Sequence, residues 1–438
     1  MAKCDCIQVF EHQQVAVGER VQGVLFSEAY FQALAQQAHM EEGKYFTVLH
    51  RGIRFSNYVG VIQLGELTIE ILPKASRPGQ QDHQLWQQVL LEMLQACRLI
   101  KVEQLSGASL SFRPHSIMDH YIAIFLEETE GLLRQGLARE YSRHSGNLPA
   151  LKGRLLFHRQ IRDNLAHAEH FFTEHEQYGY GHLFNRIISS AVQALRHFSL
   201  APALEAKFQQ LVRQFPVLPR VDAGQVEWEQ LPFSRKTERY RAALQAALLL
   251  LRHYRPDIRA GRHPLIAILF DMNLLFEEFV FRQLANLGLP VFRQVSRPFW
   301  ERRYIRPDIV LEFMGKRYVL DTKWKALSRA SPNMDDLRQM FVYAQFFDAQ
   351  HGVLVYPQAY GIAGLGPIPF SKTPSGPLQI DCRALFVDII RHGRLNRALG
   401  EDILSTLKAS EQFNSTEGTV RNSPFLKIKG RFSEDTEI

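Results

Sequence analysis

The residues best suited to chemistry lie between Arg306 and Lys323. Arg306-Pro-Asp308 runs into Ile309-Val-Leu-Glu-Phe313, and beyond Met314-Gly315-Lys316 comes Arg317-Tyr-Val-Leu-Asp321-Thr322-Lys323. Two runs rich in β-branched and aromatic residues, joined by a short glycine-containing link, predict a hairpin. A Met314-Gly315 loop sets Asp308 opposite Asp321, whereas a Gly315-Lys316 loop sets it opposite Lys323. Side chains alternate with period two, so either register puts Asp308, Asp321 and Lys323 on one side, with Val310, Glu312, Arg317 and Val319. The other side, Ile309, Leu311, Phe313, Tyr318, Leu320 and Thr322, is nearly all apolar and is expected to be core. Two carboxylates within reach of each other repel unless a cation lies between them, so the pair predicts a bound metal or a raised pKa. Oxygen ligands favour Mg²⁺, with Mn²⁺ possible, over zinc. Arg-Pro-Asp-Ile also occurs at 255–258, where neighbouring proline and glycine mark a helix end and Asp257 reads as a turn residue.

The elements on either side must deliver the remaining groups. Asp271 to Leu284 has the periodicity of a helix with Asp271 as its N-cap. Asp271, Glu278 and Arg282 share a polar stripe, where Glu278 is expected to be solvated. Glu277 instead falls between Phe281 and Leu284. A carboxylate seldom points into apolar surroundings without a partner, which makes Glu277 a candidate third acid of the metal site. Downstream, a helix opening near Ser331-Pro332-Asn333 carries Gln339 and Tyr343 on one face. Arg293, Arg297, Arg302, Arg303 and Arg306, interleaved with Phe292, Phe299, Trp300 and Tyr304, form a candidate phosphate track.

The chain around these residues has the composition of a soluble globular protein, with 438 residues, 46% of them hydrophobic and 22% charged. That length supports more than one core. A net charge of +7 permits contact with a polyanion without demanding it. Cys4, Cys6, Cys97 and Cys382 are too few and scattered for a disulfide framework, which points to a reducing compartment. Cys4-Asp5-Cys6 lacks the second pair that a zinc site needs. The first residues lack the order of a signal peptide, and no apolar run approaches the ~20 residues that cross a bilayer, so no membrane role and a cytoplasmic location are expected. Four segments are expected: a β-rich N-terminal domain at 1–112, a mainly helical region at 113–262, the segment with the candidate site at 263–408, and a loosely ordered tail at 409–438. Within the helical region, the basic stretch Leu151 to Asn164 is either a solvated face or a phosphate contact. The cluster His167, Glu169, His170, Glu174, His175 and Glu176 lacks the HExxH spacing of a metal helix and is expected to be a polar helix and turn.

An Asp at the start of one strand and Asp-x-Lys on the next resembles the PD-(D/E)XK nuclease core. A Gln-x-x-x-Tyr helix after it resembles the RecB-like branch of that superfamily. More widely, Tyr58 to Leu64 with Ile69-Glu-Ile-Leu-Pro-Lys74, Gly153-Arg154, Gln160-Ile161 with Asn164, Asn273-Leu-Leu-Phe-Glu277, Arg306-Pro-Asp308, Leu320-Asp-Thr-Lys323, Gln339-Met340 and Tyr343-Ala344 follow one another as in the McrC family. Those proteins are the nuclease subunits of McrBC modification-dependent restriction systems, and the likeness runs over roughly residues 40 to 390. It implies an α+β or α/β multidomain chain whose C-terminal domain has the PD-(D/E)XK fold, a mixed sheet flanked by helices. It implies Mg²⁺-dependent cleavage of double-stranded DNA carrying 5-methylcytosine. Asp308 and Asp321 would hold the metal with Glu277 and the Thr322 carbonyl, Lys323 would act on the phosphate or the water, and Gln339 and Tyr343 would position the site. The implied partner is an McrB-like AAA+ GTPase hexamer, docked through the N-terminal domain, whose GTP hydrolysis this subunit stimulates. The chain has no GxxxxGK[ST] loop, so it is expected to bind no nucleotide itself. Two other readings stay open: a non-catalytic scaffold that activates a partner NTPase, and a RecB-like repair nuclease acting alone.

Overall fold

The computed structural model describes residues 5–40, 43–64, 67–74, 82–97, 117–167, 169–196, 200–222, 226, 231–253, 265–327, 331–358, 361, 363–370 and 380–417. They fall into two compact units, the first ending at Leu275 and the second beginning at Phe276.

The first unit opens with β1 (Asp5–Phe10), the short strands β2 (Gln14–Ala16), β3 (Arg20–Val21) and β4 (Val24–Leu25), and helix α1 (Glu28–Met40). Strands β5 (Phe46–Leu49), β6 (Gly52–Phe55), β7 (Tyr58–Leu64) and β8 (Leu67–Leu72) follow, then helices α2 (His83–Ala96) and α3 (Ile117–Gln135). β7 and β8 are antiparallel, with Leu64 opposite Leu67; the expected Gly65-Glu66 turn between them lies outside the described residues, as does Cys4.

The middle region is less helical than its composition predicts. Strands β9 (Glu140–Leu148), β10 (Arg154–Leu155) and β11 (Phe171–Gly179) form an antiparallel sheet in the order β10-β11-β9, with helix α4 (Phe157–Asn164) between β10 and β11. β9 is largely exposed along its length, so no alternation of buried and exposed residues announces it. His167, Glu169 and His170 sit on the turn before β11, and Glu174 to Glu176 are rungs of its ladder with β9, so that cluster is strand and turn instead of helix. Helices α5 (Leu183–Leu195), α6 (Pro202–Gln214) and α7 (Arg241–His253) supply the helical part.

A strand absent from the periodicity reading, β12 (Leu265–Asp271), then pairs antiparallel with β7 and completes a sheet ordered β1-β8-β7-β12. Its apolar run, Leu265 to Phe270, is a pattern that buried strands and short helices share. Gly60 on β7 makes the approach possible: its φ is 134°, and a Cβ there would run into the Ile268 carbonyl oxygen. Arg255 to Ile258, the first copy of the tetrapeptide, lies outside the described residues.

Helix α8 (Met272–Ala285) follows β12 directly. Asp271 caps it, its Oδ1 accepting from the Asn273 backbone N–H at 2.9 Å. The second unit continues with β13 (Val291–Arg293), β14 (Arg297–Trp300), β15 (Arg303–Ile305), β16 (Ile309–Phe313), β17 (Lys316–Thr322) and α9 (Met334–Phe346). It ends with β18 (His351–Pro357), β19 (Leu365–Pro369), β20 (Asp381–Val387), the short pair β21 (Ile390–Arg391) and β22 (Arg394–Leu395), and α10 (Leu399–Glu417). Six strands form a mixed sheet in the order β13-β16-β17-β18-β20-β19, parallel from β17 through β20 and antiparallel elsewhere.

Both faces of the β16–β17 hairpin are buried, not one. Ile309, Leu311, Tyr318 and Leu320 form the expected core face. Val310 and Val319, on the side of the charged residues, pack with Met340, Tyr343 and Ala344 of α9, which covers that side. Glu312 and Arg317, paired at 2.8 Å, remain partly exposed at the hairpin's turn end. The tail also needs correcting, because α10 carries helix to Glu417; residues 418–438 lie outside the described residues. Among the described residues no helix is long and apolar enough to cross a membrane.

Candidate active site

Ile309 pairs with Leu320 and Phe313 with Lys316, so the hairpin loop is Met314-Gly315, the first of the two registers. Both loop residues have positive φ, 53° and 72°, as a two-residue type I′ turn requires. Asp308 therefore precedes β16 at the end where Asp321 and Lys323 leave β17. Lys323 Nζ lies 2.8 Å from Asp321 Oδ2, and Asp321 is only 2% exposed. Asp308 Oδ2 accepts two hydrogen bonds from Thr322, from the backbone N–H at 2.7 Å and from Oγ1 at 2.9 Å. Thr322 was expected on the apolar face. Pairing continues on the β18 side, with Thr322 opposite Val355, and the Thr322 Oγ1 nonetheless reaches Asp308 Oδ2.

Glu277 is buried on α8, and its Oε1 accepts from Gln294 Nε2 at 2.7 Å and lies 3.5 Å from Arg293 Nε. Gln294 was not singled out from the sequence. Its backbone N–H donates to the Asp308 carbonyl at 2.9 Å, so one residue grips the strand entry that carries Asp308 and the carboxylate of Glu277. It does so in a left-handed conformation, φ 48°, uncommon for a residue with a Cβ. Glu278 is not solvated: it too is buried, 2.6 Å from Arg282 Nε and in direct contact with Arg293. Arg293 is thereby committed to two carboxylates and drops out of the phosphate track.

The downstream helix behaves as its spacing predicts. Asn333 caps α9, accepting from the Asp336 N–H at 2.7 Å. Lys323 Nζ donates to Gln339 Oε1 at 3.2 Å, Gln339 Nε2 donates to the Tyr343 hydroxyl at 2.8 Å, and that hydroxyl donates to the Arg306 carbonyl at 3.1 Å. The chain of bonds fixes the ammonium against the backbone just before Asp308. A fourth acid, Asp336, comes with the first turn of α9, buried and 3.8 Å from Lys323 Nζ. An acid in a helix's first turn is commonplace, so nothing in its spacing marked it.

A family model described as the McrBC 5-methylcytosine restriction system component matches residues 53–357, more than two thirds of the chain. The chain belongs to the McrBC family. Every site residue from Glu277 to Tyr343 lies within the McrBC match. Among solved structures, a chain of the refined half-complex from the tetradecameric assembly of Thermococcus gammatolerans McrB AAA+ hexamers with bound McrC aligns over 95% of this chain and 100% of its own. The identity is 21% and the TM-score 0.60, a likeness of fold. A chain of the Thermococcus gammatolerans McrBC complex aligns at 21% identity over 66% of this chain and 89% of its own, with a TM-score of 0.45. No curated protein matches.

The electrostatics of this McrBC site follow from crowding acids out of water. Burial, and then the charge of Asp308, push the Glu277 carboxyl up to about 7, against the pull of Gln294 and Arg293. The same two causes raise Asp321 to about 6, although Lys323 opposes them. Burial alone would lower the Lys323 ammonium, but Asp321 and then Asp336 outweigh it and raise it. A hard divalent cation relieves this repulsion, and carboxylate oxygens are its natural donors. Among the described residues, however, no three Asp, Glu, His or Cys side chains stand in a closed cage. The donor types fit; their oxygens are meanwhile held by Thr322, Gln294 and Lys323.

A stability prediction follows for Glu277. Its pKa is raised from 4.5 to about 7, so its protonated form stabilises the fold below pH 4.5 and that contribution is lost as pH rises through about 7. Glu277→Gln removes the penalty of an anion buried beside Asp308. In EDTA at pH 8 the variant should be about 1–2 kcal/mol more stable than the parent, with little difference at pH 4. Thermal melts at the two pH values check this, and equal shifts at both would refute it.

Proposed function

We propose that the chain is the DNA-cleaving subunit of a GTP-dependent restriction complex specific for modified cytosine, with a Mg²⁺-dependent PD-(D/E)XK site. The observation that carries this reading is the meeting of Lys323 with Asp321 beside Asp308, at one end of the β16–β17 hairpin. The order of parts supports it: an acid on a preceding helix, Asp308 entering one strand, Asp-x-Lys on its neighbour, and a helix whose Gln339 reaches the lysine, all on a mixed sheet.

In this mechanism Asp308 and Asp321 would hold Mg²⁺, with Glu277 and the Thr322 carbonyl as further donors. Held there, such an ion would supply Lewis acidity toward the scissile phosphate and the attacking water. Thr322 orients Asp308 through its two hydrogen bonds to Oδ2. Lys323, steered by Gln339 and Tyr343, donates to the phosphate oxygen on which charge grows as the water attacks.

The partner would be an AAA+ GTPase of the McrB type, the kind of hexamer present in the Thermococcus gammatolerans half-complex. The resemblance implies docking through the N-terminal domain at 1–112; the exposed apolar residues suited to the contact lie instead in the middle region, between Glu140 and Gly179. Phe157, Ile161 and Leu165 are exposed in and just after α4, and Tyr141 and Tyr178, cross-strand partners on β9 and β11, are exposed as well. Tyr141 and Tyr178 lie at the far end of the ladder from α4, so the contact surface is assigned to Phe157, Ile161 and Leu165, spaced four residues apart along α4 and its C-cap. The test combines the chain with such a GTPase, methylated plasmid, GTP and Mg²⁺, omitting one component at a time. Cutting should need all of them, and Ile161→Asp with Leu165→Asp should abolish GTPase stimulation. Cutting of unmodified ends by this chain alone would instead establish a stand-alone nuclease.

A further inference from the structure

We infer that the β14–β15 hairpin is a single-strand contact that stacks Trp300 and Tyr304 against unpaired bases next to the cleaved phosphate. The inference rests on the nuclease reading and adds a substrate feature to it, local opening of the duplex. The hairpin stands apart from the six-stranded sheet as a two-stranded ribbon of its own. Trp300 pairs with Arg303 around a two-residue turn whose first residue, Glu301, has φ 49°. Its root is fixed on the end of α9, where Arg297 donates to the Phe346 carbonyl at 2.6 Å and Phe299 packs edge-on against Phe346, ring centroids 5.3 Å apart. Its outer part is bare: Trp300 is 57% and Tyr304 62% exposed. The Arg303 guanidinium lies 5.5 Å from the Trp300 ring centroid, and Arg302 beside it is exposed. From Arg303 the chain reaches Asp308 in five residues, tied down on the way where the Arg306 carbonyl accepts from Tyr343.

Aromatic faces bordered by guanidinium groups fit a ligand that is planar, π-faced and anionic, which a nucleotide strand is. In an intact duplex those faces are already covered by neighbouring base pairs. Such a hairpin can therefore engage bases only where the strands have separated, while its arginines meet phosphates in either form.

The experiment uses the full chain in EDTA, where nothing is cut, and measures anisotropy of labelled single-stranded, duplex and bubble-containing DNA. The parent should favour single-stranded and bubble DNA over duplex. Trp300→Ala and Tyr304→Ala should each weaken that binding about tenfold, with duplex binding and salt dependence nearly unchanged. Trp300→Phe should restore most of it, which a general folding defect would not allow. Arg302→Ala and Arg303→Ala should each lower the slope of log affinity against log salt by about 0.7 on single strands. Parent-like single-strand binding by both aromatic variants would overturn the proposal, as would unchanged DNA affinity with lost binding to the GTPase. Because binding is read without metal, a failed nuclease reading would appear separately, as an Asp308→Ala protein that still cuts.

Discussion

Asp308→Ala should cut modified DNA roughly 10²–10³-fold more slowly than the parent chain and stimulate the partner's GTP hydrolysis just as well. Under the proposed function the two readouts draw on different units, so a variant that keeps one and loses the other would not simply have unfolded. The substitution removes an acid whose charge raises both Glu277 and Asp321, and it leaves Thr322 Oγ1 and N–H without their acceptor. The first effect stabilises the metal-free fold and the second destabilises it, so the net change in stability is expected to be small beside the change in rate. Plasmid cleavage and GTP turnover measured on one preparation decide the matter. Equal cutting by parent and variant would remove Asp308 from the site and favour a scaffold that only activates its partner.

Lys323→Met should lose cleavage on the same scale, and it carries a second signature. Lys323 Nζ is the cation closest to Asp321, at 2.8 Å, and it also faces Asp336 at 3.8 Å. Both acids are buried. Removing one partner of a buried pair costs about 3–5 kcal/mol, because a charge stays behind in a poor solvent. Asp321 can escape part of that cost by taking up a proton, which it already tends to do near pH 6. Without the lysine its pKa rises further, so the lost stability is greatest at pH 8 and smaller near pH 5, where the neutral acid needs no counter-ion. Urea unfolding in EDTA at both pH values tests this. A loss of the same size at each would mean that packing of the lysine stem, not charge, is what the fold misses.

How much of this was legible beforehand depends on whether a feature is set by local repetition or by contact between distant segments. Period two brought Asp308, Asp321 and Lys323 to one side before the register was known, and the apolar neighbours of Glu277 marked it as an acid needing a partner. Gln339 and Tyr343 were legible from helical spacing together with their place after the Asp-x-Lys strand, where a Gln-x-x-x-Tyr helix resembles the RecB-like branch. The partners were not legible. Gln294, Arg293 and Asp336 owe their roles to where loops and a helix start return to the hairpin, and no pattern within their own segments records that. Glu278 was misread for the same reason, since its helical stripe is polar but Arg293 arrives from β13 to bury it. β9 escaped notice because most of its residues face water, and β12 because six apolar residues in a row carry no period.

Gln294 makes a ruler of a single side chain. Because its main chain fastens to one acid's strand and its amide to the other acid, the gap between Asp308 and Glu277 is calibrated by the number of methylenes it carries. Trimming one, in Gln294→Asn, would redraw that gap with both acids untouched. Under the proposed function, ionic radius, the property that separates Mg²⁺ from larger divalent ions, would thus answer to a residue that need never touch the ion.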